Sequence, residues 1–252
     1  MMTSFRISEM SWIDIKTALD KGYNTVVFGV GSNEQHGPHL PTCTDSLLAD
    51  ALVSKVVSKL GNALQAPTIV VGCSEHHMAF PGTINIRPET LKSLVQDYCT
   101  SLAKHGFKSI VIIPSHGGDF NPVKEATEEL SHSIKGTKVI SYTDLQALFK
   151  MLAEFSSKHG VSAPESGGHA GESETSMVLA LREDLVNMDR AEEGFVGNYE
   201  EKVPIIWKKG IKAVSENGII GDPRKADAGK GEEYLDLWTD RMVEFIRKQV
   251  KP

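Results

Sequence analysis

Four apolar, β-branched runs separated by amphipathic segments predict an α/β protein whose mainly parallel sheet is covered by helices on both faces. The runs lie at 24–31, 65–73 (Gln-Ala-Pro-Thr-Ile-Val-Val-Gly-Cys), 108–114 (Lys-Ser-Ile-Val-Ile-Ile-Pro) and 137–142 (Thr-Lys-Val-Ile-Ser-Tyr). They are continuous rather than alternating, which is how strands read when both faces are buried. Between them, apolar residues recur at helical spacing.

Taken in order, Thr25-Val-Val-Phe-Gly-Val30 is the first strand. Asp45–Leu60 follows as a helix with the stripe Leu47, Leu48, Leu52, Val56 and Leu60, stopped by Gly61. After the second run, Pro81-Gly82-Thr83 marks a turn. Pro88–His105 is the next helix, with Pro88 at the first position, Glu89 in the first turn and Gly106 as the stop. Its stripe is Leu91, Leu94, Val95, Tyr98 and Leu102. Asn121 and Pro122 read as cap and first-turn residue of the helix after the third strand. Further helices are predicted over 143–159, 172–184 and 230–250, while 185–229 reads as loop with only short ordered pieces. No repeat, low-complexity stretch or linker divides residues 1–252, so a single domain is expected.

A chain of 252 residues can bury a substantial core. Its 40% hydrophobic and 24% charged residues are ordinary for a soluble globular enzyme. A net charge of −6 argues against nucleic acid or an anionic membrane as the main partner. No apolar run is long enough to span a bilayer, and Met-Met-Thr-Ser-Phe-Arg-Ile-Ser-Glu is too polar for a signal peptide. Cys43, Cys73 and Cys99 are odd in number and far apart, giving neither a disulfide framework nor a Cys-x-x-Cys metal pair, so a cytoplasmic location is expected. Cys43, two residues before Asp45, reads either as a soft ligand or as a buried thiol.

Gly31-Ser-Asn-Glu34-Gln-His36-Gly-Pro-His-Leu-Pro-Thr-Cys-Thr-Asp45 follows the first strand directly. Loops at the carboxyl ends of parallel strands are where ligands collect in open α/β sheets. Glu34 and His36 are two apart, so on an extended segment both project to one side. Two carboxylates and an imidazole suit zinc or manganese; without a cation, burying them would cost several kcal/mol per ion. The plainer alternative is an exposed loop with solvated charges. Gly29-Val-Gly31 invites a dinucleotide-binding reading, but the third glycine of that fingerprint falls on Glu34, whose charge repels a pyrophosphate.

The third strand ends in Pro114-Ser-His116-Gly-Gly-Asp119, which places His116 as Glu34 and His36 are placed after theirs. Gly117 and Gly118 let the backbone approach a ligand closely. Farther on, Ser166-Gly-Gly-His169-Ala-Gly-Glu172-Ser-Glu174 leads into an apolar helix. Glu172 and Glu174 point in different directions from a helix start, one toward a metal and the other to orient ligands or cap the helix. His169 is positioned for proton transfer near neutral pH. In Ser74-Glu75-His76-His77, His77 is the histidine expected at the site, whereas His105, His132 and His159 are expected in solvent.

Together, Glu34-x-His36-Gly-x-His39-Leu-Pro…Asp45, Phe80-Pro-Gly-Thr83, Ser115-His116-Gly-Gly and His169-Ala-Gly-Glu-x-Glu-Thr-Ser176 resemble the creatininase (creatinine amidohydrolase) family. Gly221-Asp-Pro223 and Gly229-x-Gly231-Glu extend the resemblance, which spans about residues 30 to 235. It implies a three-layer α/β/α fold with a mainly parallel central sheet. It also implies two divalent metal ions per subunit (Zn, Mn or Fe), a small-molecule substrate and a ring-shaped homo-oligomer, a hexamer favoured. Glu34, Asp45 and His116 would then ligate one cation, His36 and Asp45 the second, with Asp45 bridging. Creatinine-cleaving members supply a further glutamate two residues past the strand-three histidine. Gly118 stands there in this chain, so Glu172 is expected to complete the second site.

Those members also carry a tryptophan shortly before the His-Ala-Gly block, where this chain has Gly160-Val-Ser-Ala-Pro-Glu-Ser-Gly-Gly168; that disfavours creatinine itself. His169 and Glu174 are the expected catalytic groups, and His77, Gly117 and Gly118 the expected substrate contacts. The implied reaction is metal-dependent amide hydrolysis, in which a metal-bridging hydroxide cleaves a C–N bond next to a carbonyl in a cyclic amide or formamide-type molecule. The alternatives are a C–C or ring-opening hydrolase or lyase acting on an oxidised cyclic polyol, and a non-catalytic scaffold on the same fold.

Overall fold

Helix placement on the two faces of the sheet follows from the alternating side-chain directions along the two central strands. The computed structural model describes residues 4–250. In chain order the elements are α1 (Trp12–Asp20), β1 (Thr25–Val30), α2 (Thr44–Leu60), β2 (Ala63–Gln65), α3 (Pro88–Lys104), β3 (Ser109–Pro114), α4 (Phe120–Ser133), β4 (Lys138–Ser141), α5 (Leu145–Lys158), α6 (Ala163–Ser166), α7 (Glu172–Arg182), α8 (Tyr199–Lys209) and α9 (Ala228–Gln249). The four strands are parallel in the order β2-β1-β3-β4, with Thr25 opposite Ala63 and Ser109, and Ser109 opposite Lys138.

Successive strand residues face opposite sides. Val26, Phe28, Ile110 and Ile112 pack with Val95 of α3 and Val123 of α4. Val27, Val111 and Ile113 pack on the other side with Leu52 of α2, Met177 of α7 and Leu235 of α9. The result is the three-layer α/β/α arrangement that the sequence predicts. On α9, Leu235, Trp238, Met242, Val243 and Ile246 are all buried. Each such side chain contributes about 1.5–3 kcal/mol relative to exposure. The exposed Lys55–Glu232 and Lys55–Asp236 pairs between α2 and α9 contribute at most about 1 kcal/mol each. Apolar burial, not ion pairing, therefore docks α9.

Some boundaries differ from expectation, each for a local reason. The 65–73 run is not a strand beyond Gln65: past Pro67, which has no N–H for a ladder, only isolated bridges of Ile69 with Val30 and Gly72 with Asn85 remain. Within 185–229, α8 forms eleven residues of helix, capped by the Asn198 side chain accepting from the Glu200 N–H, with Pro204 tolerated inside it. Helix α1 is a further element beyond those the apolar pattern predicts, and Ser11 and Asp14 form its capping box. The helix after β3 begins at Phe120, so Asn121 is not its cap.

Two features of this frame place the site. The chain leaves β1 to one side for β2 and to the other for β3, so the crevice at the carboxyl ends of β1 and β3 is the topological switch point. Gly31 then lets α2 begin hard against the end of β1: a Cβ there would lie 2.5 Å from Ser46 Cα. That close approach brings Asp45 beside the Glu34 loop.

Candidate metal centre

Five segments deliver side chains to this crevice. The loop after β1 brings Glu34 and His36, the first turn of α2 brings Asp45, and the segment after β3 brings His116. The turn before α7 brings His169, and the first turn of α7 brings Glu174. Their ligand atoms form three groups, each with all members within 4.8 Å of one another: Glu34, Asp45 and His116; His36, Asp45 and Glu174; and Glu34, His36 and His169. Asp45 is common to the first two.

His116 Nδ1 stands 3.2 Å from Glu34 Oε1 and 3.4 Å from Asp45 Oδ2. His36 Nε2 stands 3.5 Å from Asp45 Oδ1 and 3.9 Å from Glu174 Oε2. Most of these separations are long for hydrogen bonds and suit donors converging on a shared cation. Both Glu34 carboxylate oxygens, His36 Nε2 and Asp45 Oδ2 are buried without a hydrogen-bond partner. Orphaned buried polar atoms of this kind are rare and costly. A divalent cation satisfies them, and imidazole with carboxylate suits zinc, manganese or iron. The residues present therefore fit a metal.

The imidazoles split into two kinds. Burial alone would lower His36, but the Asp45, Glu174 and Glu34 carboxylates outweigh it and raise the ring to about 9. His116 is likewise raised well above its ordinary value, because Glu34, Asp119 and Asp45 overcome burial. By contrast, burial and the neighbouring rings hold His77 and His169 well below theirs. Burial, with the Asp45 and Glu34 charges, pushes Glu174 up to about 7.

A second layer orients these groups. His116 Nε2 donates to the Cys73 carbonyl at 3.1 Å and His36 Nδ1 to the Glu34 carbonyl at 3.1 Å, which leaves His116 Nδ1 and His36 Nε2 to face the cluster. Asp119, fully buried, accepts the Cys73 N–H at 2.8 Å and so anchors the residue whose carbonyl orients His116. Burial pushes its carboxyl up to about 7. Ser115 Oγ donates to the Asp45 carbonyl at 2.8 Å. Ala170 adopts φ +53°, a strained value for a residue with a side chain, and its N–H reaches Glu174 Oε2 at 2.5 Å.

Glu34, His36, Asp45 and His116 thus come together as expected from their positions, and His77 joins them with Nε2 3.3 Å from Glu34 Oε1. Glu172 does not. The two glutamates leave α7 on opposite faces, and Glu172 turns inward, away from the cluster. It accepts from Tyr234 Oη at 2.7 Å and Ser176 Oγ at 3.1 Å, and pairs with Lys230 Nζ at 2.6 Å. The carboxylate meeting His36 and Asp45 is Glu174. Glu172→Gln is accordingly expected to leave metal content unchanged and to cut stability, measured by urea denaturation. Because Lys230 can still reach solvent, the loss should fall at the low end of the about 3–5 kcal/mol typical of a broken buried pair.

Gly118 explains why no glutamate follows His116 in this chain: a Cβ there would lie 2.3 Å from the Cys73 carbonyl oxygen. Gly117 lines the cavity beside the cluster, whereas Gly118 is buried and does not. His105, His132 and His159 are exposed. Sequence reasoning missed Gln35 and Asp119. Gln35 had one available signal: it lies between two ligand residues, and a buried amide there must find partners.

A family model described as Creatininase: Creatinine amidohydrolase matches residues 8–246. The chain is 34% identical over 228 residues to a mycofactocin precursor peptide peptidase of Mycolicibacterium smegmatis, covering 88% of this chain and 84% of the relative. A crystal structure of creatinine amidohydrolase superposes with a TM-score of 0.82 at 25% identity, covering 100% of both chains. A manganese form of creatininase superposes with a TM-score of 0.81 at 26% identity, over 99% of this chain and 100% of that one. The buried cluster at the sheet edge is a candidate metal centre, and the chain belongs to the creatininase family of metal-dependent amidohydrolases.

Proposed function

We propose that this protein hydrolyses a C–N bond next to a carbonyl, with two divalent cations in each subunit. Glu34, Asp45 and His116 would hold one; His36, Asp45 and Glu174 would hold the other. The observation that carries this reading is the set of orphaned ligand atoms on Glu34, His36 and Asp45, arranged in two groups that share one carboxylate. Cations bound there would polarise the substrate carbonyl and acidify water.

The chain's own residues supply the rest. Asp45 turns Oδ1 to His36 and Oδ2 to His116, so one carboxylate serves both groups. His169 Nε2 lies 2.7 Å from the Gln35 carbonyl oxygen, which can only accept, so that nitrogen carries the proton and Nδ1 is bare. His169 lines the cavity and is the group we assign to take up a proton and return it to the departing nitrogen. Glu174, expected to act beside it in catalysis, is better placed as a ligand.

The cavity continues from His116, His169 and Glu174 to Leu145, Phe149 and Met177. That lining suits an amide carried on an apolar group, and we read the substrate as a small cyclic amide or formamide. A second reading, a peptide bond, is favoured by the 34% identity to a mycofactocin precursor peptide peptidase. Protein loaded separately with manganese, zinc or iron would be offered lactams, formamides and short peptides in oxygen-18 water. The expected result is metal-dependent release of amine, with one labelled oxygen in the acid product. Turnover that survives complete chelation, or a product without label, overturns the reading.

Chelation itself should destabilise the fold, because the converging ligand set exists in the native state and metal bound there would favour it. At a free metal concentration of about 1,000 Kd the stabilisation lost is about 4 kcal/mol, read as a fall in Tm that added metal restores. The same family likeness supports a homo-oligomer, a hexamer favoured. Exposed Trp12, Ile13, Val70, Ile84 and Trp207 offer apolar surface that assembly would cover, and light scattering gives the mass directly. Among the described residues no helix is long and apolar enough to cross a membrane. The free thiols Cys43, Cys73 and Cys99 support a reducing, cytoplasmic setting.

A further inference from the structure

Gln35 lies between two residues of the cluster, is buried, and touches two imidazoles at once. Its amide orientation is determined by the backbone. Oε1 accepts the Gly37 N–H at 2.8 Å and Nε2 donates to the Gly218 carbonyl at 3.1 Å. Exchanging oxygen and nitrogen would set donor against donor and acceptor against acceptor. Gly218 also leaves this amide its room, since a Cβ there would lie 2.1 Å from Gln35 Oε1.

One Nε2 hydrogen therefore remains, and two ring nitrogens stand near it: His77 Nδ1 at 2.9 Å and His169 Nε2 at 3.0 Å. His169 Nε2 already donates its own hydrogen to the Gln35 main-chain oxygen at 2.7 Å, so it has no lone pair to offer. The hydrogen goes to His77 Nδ1. In the neutral ring, His77 then carries its proton on Nε2, the atom 3.3 Å from Glu34 Oε1. His169 presents the opposite face, a bare Nδ1, 3.6 Å from the same oxygen.

We propose that Gln35 is a positioning residue that sets the tautomers of both histidines, its main chain holding His169 Nε2–H and its side chain holding His77 Nε2–H. His77 thereby turns a protonated Nε2 toward Glu34, 3.3 Å away, and has no lone pair there to serve as a further metal ligand. Keeping one more imidazole out of the coordination shell leaves a position open for water and substrate, which a catalytic metal site requires and a structural one lacks. Only this consequence rests on the proposed metal chemistry. The assignment itself rests on hydrogen bonds and is read without any assay of activity.

The test is long-range 1H–15N spectroscopy of the zinc-loaded protein carrying 15N-labelled histidine, which separates protonated from bare ring nitrogens. The wild type should show His77 and His169 as Nε2–H tautomers. In Gln35→Glu the carboxylate can only accept, so His77 should switch to Nδ1–H while His169, held by the main chain, keeps its form. Gly218→Ala, which displaces the amide by contact, should leave His77 as a mixture. His116, oriented by the Cys73 carbonyl, should be unchanged in all three and reports that the fold is intact. An Nδ1–H signal for His77 in the wild type overturns the proposal whether or not the variants fold, as does a His77 unchanged in both folded variants. Inactive protein with the expected tautomers would count against the proposed reaction and support this assignment.

Discussion

Asp45→Ala is expected to remove both cations and nearly all turnover, the largest effect of any single substitution in this protein. The reason is geometric. Asp45 is the one residue common to the Glu34–His116 group and the His36–Glu174 group, and its side chain is 2% exposed. Without it, His36 and His116 lose the carboxylate lying 3.5 Å from one and 3.4 Å from the other. Each site would fall to two protein ligands, fewer than the three that catalytic zinc sites keep. Elemental analysis of the purified variant checks this. A variant that retains two metals per chain would refute the shared role of Asp45.

His169→Ala is expected to keep its metals and to lose turnover by roughly 10²–10⁴-fold, the range of a general acid–base group. The ring is buried and anchored through Nε2 to the Gln35 carbonyl, so its free nitrogen is presented at a set position beside Glu34. Its nearness to Glu34 and His36 gives the measurement its edge. Loss of one metal in this variant would make His169 a ligand and move the proton-transfer role elsewhere, whereas a loss of turnover at full occupancy supports the assignment.

The parts of this protein legible in the sequence are those governed by neighbours along the chain. Val26-Val-Phe and Ile110-Val-Ile are apolar on both faces, which only a strand buried between two helical layers requires, and the three-layer fold follows from that. Glu34, His36 and His116 stand directly beyond such strands, so their place at the carboxyl edge of the sheet was readable before any coordinates. Asp45, in the first turn of the next helix, was readable on the same grounds.

Only the tertiary structure decided which way the longer-range partners face. Glu172 and Glu174 are both acidic residues in the first turn of α7, and local pattern cannot rank them. The rotation of α7 is set by its packing against α9, where Tyr234 and Lys230 take Glu172 and leave Glu174 to His36 and Asp45. The same holds for Gln35, whose partners His77, His169 and Gly218 come from distant parts of the chain. The segment after Gln65 is different: Pro67, with no N–H for a ladder, is a local signal against the strand that its apolar neighbours suggest. Strand burial is a property of a residue and its immediate neighbours, so the sequence determined it. Side-chain direction at a site built from five segments depends on how those segments pack, which no one of them encodes alone.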